Sequence, residues 1–329
     1  VITKMNRSPE SAYLSITVKS QEYTDINLAD YGIFEKLFPE QGPQTKDGIL
    51  KDFIKNKNTY KINGFIGNDL VETEIKGHMR NIRLALLKIS PVKYNPANNT
   101  IRVYHNIVFS VTFNNANWNK SESMDEKYGS FLFSSVENKI LNNDIFKTQK
   151  DTNTTYPVKF VIVADTMFHD ALQPFIQWKT KKGFIVVEAY TSNPAVGTTT
   201  TSIQSYLQSI WDNATPTDPA QSYILIVGDV AQVPAFSGTT GSHVSDMYYA
   251  EYTGDDIPEV FFGRFSANSV SELQPQIDRT LEYEQYLFVN ETWLDTVVMI
   301  AGIDGSYGPT HANGQINYGT TYYFNASQG

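Results

Sequence analysis

Gly254-Asp255-Asp256-Ile257-Pro258-Glu259 places three carboxylates within five residues, on a turn set by glycine and proline. Turned inward, such carboxylates can surround one hard cation, because calcium takes about six to eight oxygen ligands, backbone carbonyls among them. The spacing is not that of an EF-hand loop, and an exposed acidic turn uses the same residues. Two more aspartates follow apolar runs: Asp229 after residues 223–228 and Asp304 after residues 296–303. A carboxylate at a strand end can ligate a metal, orient a histidine, or cap the next loop through an Asx turn.

Nucleophilic chemistry has little to stand on. The chain has no cysteine, which excludes disulfides, thiolate metal sites and a thiol nucleophile within these residues. Its five histidines, His78, His105, His169, His243 and His311, form no HExxH or similar pair. His169 lies close to Asp165 and Asp170 on an expected helix and reads as a surface residue. His311 sits in a Gly/Asn-rich loop after Asp304. No GxSxG elbow or P-loop occurs, and residues 302–308, though glycine-rich, lack a phosphate-binding lysine.

The 329 residues leave room for about two domains. With 41% hydrophobic and 19% charged residues the chain is globular. A net charge of −9 argues against nucleic acid as a partner, since a backbone binder needs a basic footprint; the acidity serves solubility. The apolar stretches fall far short of the ~20 residues that cross a bilayer, so no transmembrane segment is expected. Val1 to Arg7 lack the apolar core of a signal peptide. An exported form is expected to have lost its signal already.

Three textures follow one another along the chain. Residues 1–114 read as a β-rich domain. Residues 12–18 alternate Tyr13, Ser15, Thr17 against Leu14, Ile16, Val18, the period of a strand. Residues 82–89 and 100–113 are further strands, and the Asn/Pro-rich turn at 94–100 predicts a hairpin between 83–94 and 101–113. Residues 35–38 and 49–54 read as short helices or loop turns. Residues 115–156 read as a connection with one short helix near 134–145, and 151–155 as its linker. From 157 to 329 the texture is α/β. Strands are expected at 159–164, 184–190, 223–227, 260–265 and 296–301. Helices are expected at 166–182, closed by Gly183, at 201–211, and at 271–287 with Pro275 in the first turn. Such alternation gives a mostly parallel sheet flanked by helices. Sites in open parallel sheets form beyond the carboxyl ends of the strands, where Asp229 and Asp304 fall.

Many short blocks recur in a familiar order. They run from Lys159-Phe-Val-Ile-Val-Ala-Asp165 with Met167-Phe168, through Leu172-Gln-Pro-Phe175 and Trp178-Lys-Thr-Lys-Lys-Gly-Phe184, to Val196-Gly-Thr-Thr199 and Ile226-Val-Gly-Asp229. Ser245-Asp-Met-Tyr-Tyr249, residues 254–264, Ile277-Asp-Arg279, Tyr283-Glu284 and Ile300-Ala-Gly-Ile-Asp304 complete the series. Together they resemble the gingipain family of cysteine peptidases, whose α/β fold is caspase-like. Ser90-Pro-Val-Lys-Tyr-Asn-Pro96 and Ile101-Arg-Val-Tyr104 resemble the family's propeptide, expected here as an all-β, sandwich-like prodomain. Residues 196–199 and 245–259 look closer to the lysine-specific branch than to the arginine-specific one.

The resemblance implies roles. Asp304 matches the aspartate that supports the catalytic histidine. Asp229, Asp255, the carbonyl of Ile257, and Glu259 match calcium-ligand positions, with Thr253 departing from an acid in the lysine-type relative. The family's His-Gly dipeptide and its cysteine are expected after residue 329, so these residues by themselves are expected to be inactive. The prodomain is expected to pack over the cleft as an intramolecular inhibitor. Lys76 and Arg80 are candidates for a side chain that mimics substrate, in competition with Lys120, Lys127 and the plain reading of solvated charges. The implied function is a zymogen fragment of a secreted or cell-surface cysteine endopeptidase that cleaves protein or peptide substrates after Lys or Arg, from a bacterium with a dedicated outer-membrane export system. Two other classes compete: a non-proteolytic relative serving binding or secretion, and a β-rich adhesin-like module joined to an α/β domain.

Overall fold

The computed structural model describes residues 1–39, 41, 52–146, 157–215, 217–238, 243–300 and 313–327. The chain forms two compact units, one of Val1–Lys36 with Lys61–Leu281, the other of Leu37–Tyr60 with Glu282–Gly329.

Six strands come from the first 114 residues: β1 (Ile2–Arg7), β2 (Tyr13–Asn27), β3 (Val71–Met79), β4 (Ile82–Ile89), β5 (Val92–Asn95) and β6 (Thr100–Asn114). They make two antiparallel sheets, β1–β4–β3 and β2–β6–β5. β4 is central in the first, and its Ile82, Leu84, Ala85 and Leu87 are buried. The expected hairpin between 83–94 and 101–113 is corrected here. Val92 to Asn95 pair with Val103 to Thr100, whereas β4 pairs with β1 and β3. Ser90-Pro91 separates the two strands, and proline cannot donate to a ladder, so the chain changes sheets there. Residues 35–38 and 52–54 form no helix, and 49–51 lie outside the described residues.

The connection is more ordered than its polar composition suggests. α1 (Trp118–Tyr128) begins on Asn117, whose side chain accepts from the Lys120 N–H. α2 (Ser134–Glu137) and short 3-10 turns at Phe131–Phe133 and Asn143–Phe146 follow. α1 carries a thin apolar stripe, and long-range contacts place it: the Ser121 hydroxyl accepts the Glu10 N–H at 2.8 Å, and Tyr128 enters the core of the α/β region. The 151–155 linker lies outside the described residues.

The α/β region runs β7 (Val158–Ala164), α3 (His169–Lys181), β8 (Phe184–Tyr190), α4 (Thr200–Asp212), β9 (Gln221–Val227), β10 (Phe236–Ser237), β11 (Val244–Ser245), β12 (Phe261–Phe265) and α5 (Val270–Gln285). β12, β9, β7 and β8 form a parallel sheet in that order. β7 is buried along its whole length, as a strand covered on both faces must be. Alternate residues point to opposite faces. Val161, Val163, Ile224 and Ile226 meet Ile203, Leu207 and Trp211 of α4. Phe160, Ile162, Ala164, Leu225 and Val227 meet Leu172, Phe175 and Ile176 of α3 and Leu273 and Ile277 of α5. Pro275 is the sixth residue of α5, a turn later than expected. The strand expected at 296–301 carries no ladder over 296–300, and 301 lies outside the described residues. An apolar run supplies propensity, but a strand also needs a neighbour for its N–H and C=O groups.

The second unit contains α6 (Asn313–Tyr322) and an aromatic group in which Trp293 packs against Tyr283 and Phe288. No helix among the described residues is long and apolar enough to cross a membrane.

Candidate functional site

β9 leads through Gly228 into Asp229, at the carboxyl end of the sheet. Gly228 has φ 125, and a Cβ there would stand 2.7 Å from the Gln232 Cβ. The Asp229 carboxylate accepts from the Val230 N–H at 2.8 Å and from the Asn268 amide at 3.3 Å. Those bonds hold it below the usual carboxylate range, the Val230 N–H first and Asn268 next. Arg264, near the end of β12, fixes the surrounding loop. It donates to the carbonyls of Gly228 and Val233 at 2.8 and 2.9 Å and forks onto Asp246 at 2.8 and 2.7 Å. Asp229 thus has the geometry of a loop cap.

The acidic turn makes the denser site. Glu251, Asp255 and Glu259 each offer an oxygen, and these oxygens lie within 4.8 Å of one another. Asp229 is not in this group. One Glu251 oxygen accepts the N–H groups of Thr253 at 2.9 Å, Asp255 at 3.1 Å, and Gly254. Glu259 is fully buried and accepts the Tyr252 N–H at 2.6 Å. Burial pushes its carboxyl up to about 7, and the charges of Glu251 and Asp255 push the same way. The Thr253 hydroxyl stands 2.9 Å from both Asp255 and Glu259. One hydroxyl proton cannot serve two ionised carboxylates, so this group either keeps a proton or takes a cation. The donor set, all hard oxygen, fits calcium. Glu251 escaped the sequence reading; its signal was a carboxylate four residues before Asp255 and eight before Glu259.

The same turn touches the N-terminal sheets. Asp255 accepts the His78 N–H at 2.6 Å, and the His78 ring lies 2.8 Å from Glu10 and 3.6 Å from Asp255. Gly77 precedes it with φ 141, and a Cβ there would fall within 3.0 Å of the Asp255 side chain. Glycine is what lets the β3 backbone approach the Asp255 side chain. Ile257 packs beside Ile82, Leu84 and Ile140, and its N–H donates to Asp255 at 3.0 Å.

Lys76 lies on β3, 39% exposed and 2.6 Å from Glu74. Arg80 is 1% exposed. Its guanidinium donates to the carbonyls of Tyr128, of Gln221 at 2.8 Å and of Ala220 at 3.4 Å. Ala220 precedes β9 and Gln221 opens it, at the end opposite Asp229. Arg80, a candidate for the side chain that mimics substrate, spends its donors at the amino edge of the sheet. Asp304 and His311 lie outside the described residues.

These features define an α/β domain on a parallel sheet, with an antiparallel β domain seated against its acidic turn and its amino edge. The chain belongs to Peptidase family C25, whose profile matches residues 153–328, while the C25 propeptide profile matches residues 1–152. It is 32% identical over 330 residues to Lys-gingipain W83 of Porphyromonas gingivalis, covering 100% of this chain and 19% of that protein. To gingipain R2 of the same organism it is 28% identical over 249 residues, covering 72% of this chain and 31% of that one. The lysine-type relative is thus the nearer of these two. A solved structure on the zymogenic latency of gingipain K from Porphyromonas gingivalis is 34% identical, covering 35% of this chain and 64% of that chain with a TM-score of 0.32. The chain spans about a fifth of the length of the Lys-gingipain relatives, 19% in each case.

Proposed function

We propose that these residues are the prodomain and the first part of the catalytic domain of a secreted cysteine endopeptidase zymogen that cleaves after basic residues, lysine above arginine. What carries the reading is the propeptide match followed directly by the peptidase match, in one chain whose two parts pack together. The chain has no cysteine, so the thiolate that attacks the peptide carbonyl comes from outside these residues. Asp304 accepts a hydrogen bond from the catalytic histidine and favours its protonated form. The prodomain keeps the enzyme latent. In the test, the full-length protein, activated by removal of the prodomain, is assayed on fluorogenic Lys and Arg peptides. Thiol-sensitive turnover with a Lys preference supports the reading, and its absence defeats it. In Asp304→Asn, turnover should fall while the fold persists.

Calcium, when bound, supplies structural charge neutralisation. The geometry favours Asp255 and Glu259 as its holders, with Glu251 as a third carboxylate and the Ile257 carbonyl as a further candidate. Asp229 belongs to the implied set as well, but stands apart from this group. Calcium at about 100 times its Kd should add about 2.7 kcal/mol to stability. Melting temperatures in calcium and in chelator decide this. Equal values for the wild type, or an undiminished calcium effect in Glu259→Gln, would remove the site.

A further inference from the structure

Arg80 is the first residue of the two-residue turn between β3 and β4, with φ 59. Residues other than glycine seldom take that conformation. Its guanidinium carbon lies 5.2 Å from the Phe133 ring centre and 5.4 Å from that of Trp211. Among the described residues it forms no ion pair with a carboxylate. Burial pushes the guanidinium down to about 10. A buried charge on a strained backbone persists where its surroundings demand it.

The surroundings sort by domain. Tyr128 and Phe133 fall in the propeptide match; Trp211, Ala220 and Gln221 fall in the peptidase match. Tyr128 stacks on Trp211 with ring centres 4.2 Å apart, and Phe133 stacks on Phe261 of β12 at 4.6 Å. Phe133 and Trp211 flank the guanidinium; the prodomain adds the Tyr128 carbonyl, and the peptidase part supplies the indole face and the carbonyls of Ala220 and Gln221. Two consecutive carbonyls present acceptors to a planar fork, beside an indole face. That geometry suits guanidinium better than an ammonium, which has no plane to stack and no fixed fork.

We propose that the peptidase part carries a guanidinium socket at the amino edge of its sheet, and that Arg80 is the occupant that keeps the prodomain attached after the linker is cut. Attachment is then set at the opposite end of β9 from Asp229. The socket discriminates arginine from lysine irrespective of what the cleft prefers. The inference needs no peptidase activity, so it stands or falls separately from the catalytic reading.

In the test, the site of an unrelated protease is placed within 151–155 of the full-length protein, the linker is cut, and prodomain release is followed on the immobilised peptidase part. The wild type should stay together, and Arg80→Lys and Arg80→Met should release about tenfold faster or more. Lys76→Ala should match the wild type. Release of the Arg80 variants at the wild-type rate overturns the proposal. A second arm needs no variant at Arg80: arginine amide should lower the retained fraction of cut wild type more than lysine amide does at equal concentration. Equal effects of the two amides also overturn it.

Discussion

The two ends of β9 are built on opposite plans. At the amino end Ala220 and Gln221 are fully buried, and their carbonyls are taken by a prodomain guanidinium between stacked aromatic rings. At the carboxyl end the chain turns through Gly228 into Asp229, whose carboxylate accepts from its neighbour Val230 and from Asn268, 39 residues on. One end is closed by packing between parts far apart in sequence, Ser130 against Ser222 being 92 residues apart. The other is a polar loop held by Arg264 and Asn268 within the α/β region. The buried guanidinium of the prodomain and the Asp229 loop therefore stand at opposite ends of one strand. The acidic turn lies on the amino side, just before β12 begins opposite Tyr223, and there Asp255 meets Gly77 and His78.

The contrast can be broken most severely at the amino end. Tyr128→Ala removes the ring stacked on Trp211 and leaves a cavity, at an expected cost of about 3–5 kcal/mol. Urea unfolding of the intact protein should show this as a lower midpoint; a change under about 1 kcal/mol would mean the ring is not part of the core.

A somewhat smaller effect comes from Glu10. Its burial would raise its carboxyl, but hydrogen bonds and charges from His78 and Lys120 outweigh that and bring it down to about 2 from 4.5. A depressed folded value means stability that is fully present above pH 4.5 and is lost as pH falls toward about 2. The loss amounts to up to about 3 kcal/mol. Melting curves across that range should converge for wild type and Glu10→Gln at the acid end, and parallel curves would count against the linkage.

Gly77→Ala acts at the acidic turn. The new methyl meets Asp255 at a backbone angle that suits glycine, so about 1–3 kcal/mol should be lost. The loss should be accompanied by weaker calcium stabilisation, because the same carboxylate is displaced. A thermal shift measured with and without calcium separates the two contributions. At the bottom of the scale, Lys76→Ala breaks an exposed pair with Glu74, and its melting temperature should match the wild type within error.

Much of the α/β region was legible from residue pattern. The β7 run, the helix ended by Gly183 with φ 94, and the amphipathic faces of α4 and α5 all write their neighbours into local periodicity. The carboxylate turn at 254–259 was also visible as a cluster. The N-terminal part was less so. Strand propensity in 82–94 was plain, but the division between sheets at Ser90-Pro91 was read as a continuous hairpin arm. α1 was missed because its polar face dominates and its few apolar residues find their partners far away in sequence.

By itself the sequence determined the alternation of strands and helices over the α/β region, the parallel sheet and the family. Spacing within a strand or helix fixes which residues share a face, and that information is local. The tertiary structure decided three things that spacing cannot carry. It drew Glu251 into the group with Asp255 and Glu259, and left Asp229 as a separate loop cap. It buried Arg80 against Ala220 and Gln221, positions 140 and 141 residues away. It seated Gly77 and His78 on Asp255, with His78 177 residues from its partner. A charge on a hairpin turn looks solvent-facing until a second domain offers it carbonyls and aromatic faces. Whether it is buried depends on a docked surface, and docking is a property of the packed chain, since no local window of sequence contains both partners.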